Sequence, residues 1–109
     1  MATGDKYYLG GQKVFTNYYS GSELVGKTEV KVNLGFKTSC IKYISNDSEN
    51  GSLYVSFDSV PTTATASGLN KAILLNPGEV INELNIAVSS INLRLIGYDG
   101  ISIARWLAV

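Results

Sequence analysis

Apolar and polar residues alternate with a period of two over most of the chain, the signature of half-buried β-strands rather than helices. Val30, Val32 and Leu34 alternate with Glu29, Lys31 and Asn33 from Thr28 onward. A second strand is predicted over Thr38 to Ile44. The run Ser45 to Ser52 is turn chemistry, and its Asn50-Gly51 pair supplies the positive φ angles of a tight hairpin. Leu53, Val55 and Phe57 then share one face, with Ser52, Tyr54, Ser56 and Asp58 on the other. A Ser/Thr/Ala loop over Ser59 to Asn70, punctuated by Pro61 and Gly68, leads into a short strand over Ala72 to Leu75. Ile91 to Ile96 and Ile101 to Leu107 read as a hairpin across Gly97-Tyr98-Asp99-Gly100. Within its last strand Trp106 falls opposite Ile101, Ile103 and Leu107, so it faces either the other side of the sheet or a partner.

The segment from 76 to 88 supports two readings. Asn76-Pro77-Gly78-Glu79 has the chemistry of a helix start, with Asn76 as N-cap and Glu79 closing a capping box. Val80, Ile81, Leu84, Ala87 and Val88 would then share one helical face. Against this, Leu84, Ile86 and Val88 alternate, and β-branched Val80 and Ile81 open the segment. Strand is favoured because every neighbouring segment is a strand. The predicted fold class is all-β, a single antiparallel β-sandwich or jelly-roll-like barrel with an N-terminal arm.

The arm is set at residues 1 to 27 and the sandwich domain at 28 to 109. Four of the seven tyrosines lie in the arm (Tyr7, Tyr8, Tyr18 and Tyr19), with five of the eleven glycines and little sustained periodicity. Short strands over Tyr7 to Leu9 and Lys13 to Thr16 are the most it predicts. Tyrosine offers a large contact area with a polar tip, so such an arm suits ordering against a neighbouring subunit. The candidate interface residues are therefore Tyr7, Tyr8, Tyr18, Tyr19 and Trp106.

Length and composition narrow the possible functions. A chain of 109 residues supports one core, and 45% hydrophobic residues are enough to fold it. Nine basic residues balance nine acidic ones, which argues against a field-driven grip on nucleic acid or anionic lipid. No histidine is present, which removes the common nucleophile systems and histidine-bearing metal sites. Cys40 is the sole cysteine, so the fold must hold without an internal disulfide. The start Met1 to Tyr7 has no apolar region of a secretory signal, and no apolar run approaches a membrane span. The expectation is a protein made in the cytoplasm.

Several motifs suggest chemistry. Gly21-Ser22-Glu23-Leu24-Val25-Gly26-Lys27-Thr28 satisfies the phosphate-loop pattern, yet the residues after Thr28 alternate as a strand where a phosphate loop needs a helix. The expectation is no nucleotide. Asp47, Glu49 and Asp58, with Asn46 and Asn50, carry oxygens suited to calcium but lack the EF-hand spacing. No two of Asp47, Glu49, Asp58, Glu79, Glu83 and Asp99 stand out as a glycosidase pair. Cys40 reads as a buried, inert thiol in mid-strand. No enzyme, cofactor or metal is expected.

The stretch from Cys40 to Val109 resembles the small β-sandwich proteins of tailed-bacteriophage particles. The residues carrying the resemblance are Ile41 to Asn46, Leu53 to Asp58, Ile73 to Glu79, and the closing hairpin. It covers about two-thirds of the chain and excludes the arm. The resemblance implies a compact sandwich or jelly roll, often trimeric, that binds its own copies and a major capsid or other virion protein. The implied function is a structural virion protein, first a capsid decoration (cement) protein that stabilises the head. A tail, fibre or adaptor component, including a carbohydrate- or receptor-binding module, is the alternative. The implied location is the virion, with no nucleic acid or membrane partner.

Overall fold

A computed structural model describes residues 6–7, 13–14, 17–62 and 72–109, with only the backbone described for the first two pairs. The described residues form ten strands, β1 (Lys6–Tyr7), β2 (Lys13–Val14), β3 (Tyr19–Val25), β4 (Val30–Asn33) and β5 (Ile41–Asn46), then β6 (Ser52–Phe57), β7 (Ile73–Leu75), β8 (Val80–Leu84), β9 (Ser90–Ile96) and β10 (Ser102–Ala108). No helix occurs among the described residues, and the fold is an antiparallel β-sandwich. The front sheet has the order β3-β10-β5-β8 and the back sheet β4-β9-β6-β7, while β1 and β2 form a separate ribbon.

The topology is nested. β3 pairs with β10, β4 with β9, β5 with β8, and β6 with β7. The eight sandwich strands therefore behave as one long hairpin rolled so that successive nested pairs alternate between sheets, which is jelly-roll topology. Among the eight sandwich strands only β6 and β7 are consecutive in one sheet.

This winding corrects two expectations. β9 and β10 are not a hairpin, because β9 lies in the back sheet and β10 in the front one. The Asn50-Gly51 turn likewise joins β5 to β6 across the sandwich. Gly51 does take the positive φ of 79° that the sequence promised, but a tight turn does not determine which strands pair. The domain boundary also moves. Residues 19–25, assigned to the arm, form β3 and pair with β10 over seven register positions, so the front sheet begins at Tyr19.

The segment from 76 to 88 contains strand β8. Its capping-box chemistry is present in another setting. The Asn76 amide donates to Glu79 Oε1 at 2.6 Å, and the Glu79 amide donates to the Asn76 carbonyl at 2.9 Å. With Gly78 at φ 80°, these bonds close a turn instead of starting a helix. The second predicted strand starts at Ile41 rather than Thr38. Thr38 instead ties down the segment after β8, donating to the Ile86 carbonyl and accepting from the Val88 amide at 3.0 Å.

The core lies between the sheets. Leu53, Val55, Phe57, Ile91, Leu93 and Leu95 face inward from the back sheet, as the alternation in β6 predicted. Val25, Ile41, Ile44 and Trp106 meet them from the front sheet. Trp106 is 2% exposed and is the largest fully buried side chain. Its space comes from small inward neighbours along β10, Ala104 and Ala108, and from Gly21, its register partner in β3. A Cβ on Gly21 would stand 3.0 Å from Trp106 Cζ2, so this strand position favours glycine.

Candidate interaction surface

The outer faces of the two sheets have different chemistry. On the back sheet, Ser56, Ser90 and Asn92 point outward yet are buried, because the chain after β6 folds over them. Asn92 Nδ2 donates to the carbonyls of Asp58 and Val60 at 2.9 and 3.0 Å, and Ser56 Oγ donates to the Val60 carbonyl. Thr62, fully buried, is clamped from two sides. Its amide and hydroxyl donate to Glu29 Oε1, and its carbonyl accepts from Arg94 Nη2 at 2.7 Å. The side-chain and then the backbone hydrogen bond from Thr62 hold the Glu29 pKa below its ordinary value. Arg94 also lies 5.3 Å from the ring centroid of Tyr54, its register partner.

The front sheet's outer face has no such cover among the described residues. Leu24 and Ile101 are each 63% exposed and Val80 is 46% exposed. Leu24 is the register partner of Ile103, and Leu107 that of Tyr43, so apolar side chains adjoin across β3, β10 and β5. Arg105 lies between them and pairs with Asp47 at 2.9 Å. The face thus carries an apolar cluster interspersed with Ser22, Ser45 and Asn82, and one internally matched charge pair. It is the best candidate for a protein contact.

Sequence reasoning placed Ile103 and Leu107 opposite Trp106 but left open which face turned inward. The structure turns Trp106 into the core, so its ring does not reach the surface of the single chain. Of the tyrosines named with it, Tyr18 is 74% exposed, and Tyr19 packs against Trp106 with ring centroids 5.9 Å apart. Tyr7 falls in β1 and Tyr8 lies outside the described residues. Sequence analysis missed Leu24, Tyr43 and Val80. The available signal was an apolar residue on both faces of β10, which a one-sided sheet does not need.

Most of the remaining candidates for chemistry lie in strands and turns. The phosphate-loop match lies on β3 and the turn after it, with residues 21–25 paired to β10, and strand β4 follows. Asn46 is buried at the centre of the sandwich end. Its Nδ2 donates to the carbonyls of Gly51 and Leu75, and its Oδ1 accepts from Ser102 Oγ at 3.0 Å. Asp58, at φ 54°, accepts from the amides of Ser89 and Ser90 at 2.8 and 3.1 Å, fixing the entry to β9. No group of three acidic or cysteine side chains suited to a metal occurs among the described residues. Cys40 is buried just before β5, and burial, followed by the nearby Glu83 carboxylate, raises its pKa and disfavours the thiolate.

An open groove of about 430 Å³ is lined by Lys27, Gly97, Tyr98 and Asp99. Tyr98 is held there by close backbone approach, since a Cβ on Gly100 would stand 2.5 Å from its ring and one on Gly51 2.7 Å from its Cβ. Lys27 and Asp99 pair at the rim, both largely exposed.

No protein-family model, curated protein or solved structure matches the chain.

Proposed function

We propose that this protein is a structural subunit that acts by binding other protein surfaces in a multi-copy assembly, in its specific form as a capsid decoration protein of a tailed-phage particle. The observation that carries the reading is the outer face of the front sheet, uncovered among the described residues, with Leu24, Ile101, Ile103, Leu107 and Val80 on a chain that buries Ser56, Ser90 and Asn92 of the back sheet under its own segment Asp58 to Thr62. Burying such a face on a partner gains about 25 cal/mol per Å² of apolar area removed from water, before the costs of association. The Arg105–Asp47 pair leaves the face electrically matched, so contact needs no counter-charge on the partner. Jelly rolls also occur among viral capsid domains, and this support is by analogy of fold alone.

The test is occupancy on particles. The chain should co-purify with heads at stoichiometric copy number through a density gradient. Ile103→Lys, which sets an ammonium on the open face, should reduce that occupancy at least about tenfold while leaving the fold intact. A chain recovered wholly apart from particles would reject the reading.

A second reading has its own observation. The groove beside Tyr98 offers a fixed aromatic ring with an ammonium and a carboxylate at its rim, the parts of a shallow sugar-binding site. Such a module would belong to a fibre or adaptor. Titration with mono- and disaccharides followed by NMR should then shift Tyr98 and Asp99 resonances, and Tyr98→Ala should abolish the effect. Unmoved spectra at millimolar sugar would remove this reading.

A further inference from the structure

The four sandwich edges are unequally protected against pairing with another strand. Exposed edges invite such pairing, and proteins blunt them with short strands, charges or kinks. In the back sheet, β7 has three residues, and β4 has four, including exposed Lys31. In the front sheet, β8 is bent by Glu83, a non-glycine residue at φ 53°, whose carboxylate meets Lys42 at 3.2 Å. β3 is neither short nor kinked. It runs for seven residues, Tyr-Ser-Gly-Ser-Glu-Leu-Val, in unbroken register with β10. It has no proline, no lysine and a single charge, Glu23. Its other side has no paired strand among the described residues. Half of its backbone N–H and C=O groups therefore point away from the sheet.

We infer that β3 pairs antiparallel with β3 of a second copy about a two-fold axis through Ser22, joining two front sheets into one of eight strands. The strand's own sequence favours its own copy as partner. In that register Ser22 faces Ser22, Ser20 faces Leu24, Gly21 faces Glu23 and Tyr19 faces Val25 of the other copy. The sole charge thus meets the smallest residue and no like charge, whereas like charges directly opposed would be unfavourable. The contact is isologous, so each favourable pairing occurs twice. It also continues the open apolar face, because Leu24 and its partner Ile103 lie immediately beside the new seam. The inference deepens the reading of the protein as an assembly subunit by naming the self-contact.

Sedimentation equilibrium on the full chain, over a concentration series reaching hundreds of micromolar, should show a reversible dimer. Ser22 is exposed, so substitution there should spare the folded subunit. Ser22→Asp and Ser22→Lys should each weaken the dimer about tenfold or more by opposing like charges at the axis, and an equimolar mixture of the two should restore it. Ser22→Cys should form a disulfide-linked dimer on mild oxidation, whereas Leu24→Cys, which faces Ser20, should do so far less. A full chain that stays monomeric overturns the inference, including the case in which hydrogen exchange finds β3 protected by the chain's own N-terminal segment. A dimer indifferent to charge at Ser22, or not rescued by the mixture, overturns it as well. A chain that binds particles as a monomer would sink the self-contact and leave the proposed function standing. A two-fold dimer absent from particles would do the reverse.

Discussion

Ser56, Ser90 and Asn92 sit on the outer face of the back sheet and are buried, whereas Leu24, Ile101 and Val80 sit on or beside the outer face of the front sheet and are exposed. The chain covers these polar side chains and leaves these apolar ones exposed. The difference lies in the directionality of the two interactions. A polar side chain taken out of water needs donors and acceptors at fixed distances and angles, and the segment Asp58 to Thr62 supplies them from the same chain. Apolar area makes no directional demand and is served by any surface of matching shape. A face satisfied within the chain is therefore settled on folding. A face left apolar remains available to a second molecule.

The strongest test of this contrast is on the inner side of the front sheet. Trp106→Ala should destabilise the fold by about 3–5 kcal/mol, read from the urea midpoint, because the ring is core and its neighbours Ala104 and Gly21 are too small to fill the space. A midpoint that scarcely moves would mean the indole faces outward and the two faces of β10 are reversed. Next comes the cover of the back sheet. Asn92→Ala leaves the carbonyls of Asp58 and Val60 without their donor and should cost about 1–3 kcal/mol. Hydrogen exchange should speed up in residues 58–62 of that variant if Asn92 holds the segment down.

A smaller effect should follow pH. The Glu29 pKa is depressed in the folded chain from an ordinary 4.5 by the two Thr62 bonds. Its contribution is therefore complete above that ordinary value and fades as pH falls through the lower folded value. Wild type should lose slightly more stability than Glu29→Gln over that acidic window, and parallel pH profiles would show that the clamp on Thr62 does not depend on charge. The smallest effect is expected on the open face. Leu24→Ser should change stability by no more than about 0.5 kcal/mol, since the side chain is mostly in water. A loss comparable to that of Asn92→Ala would show that Leu24 is covered within the chain and that the contrast between faces fails.

Local pattern determined much of this protein. The alternation of Leu53, Val55 and Phe57 specified both a strand and its buried face, because period-two burial is a property of the pleat itself. The positive φ angle at Gly51 was likewise legible as turn chemistry, whereas the turn at Gly78 read as a helix start. The sandwich class followed from the succession of short strands. Pairing did not follow, since β3 meets β10 across most of the chain and no local signal encodes a nested order. That is why Tyr19 to Val25 read as an arm: its serines and glycine carry no apolar period, and it is a strand because β10 supplies its hydrogen bonds and Trp106 covers its Gly21. The inward face of β10 was undecided for the same reason. With apolar residues on both sides, the small neighbours that make room for an indole on one face, and the lack of a covering segment among the described residues on the other, settle which side is core and which is exposed.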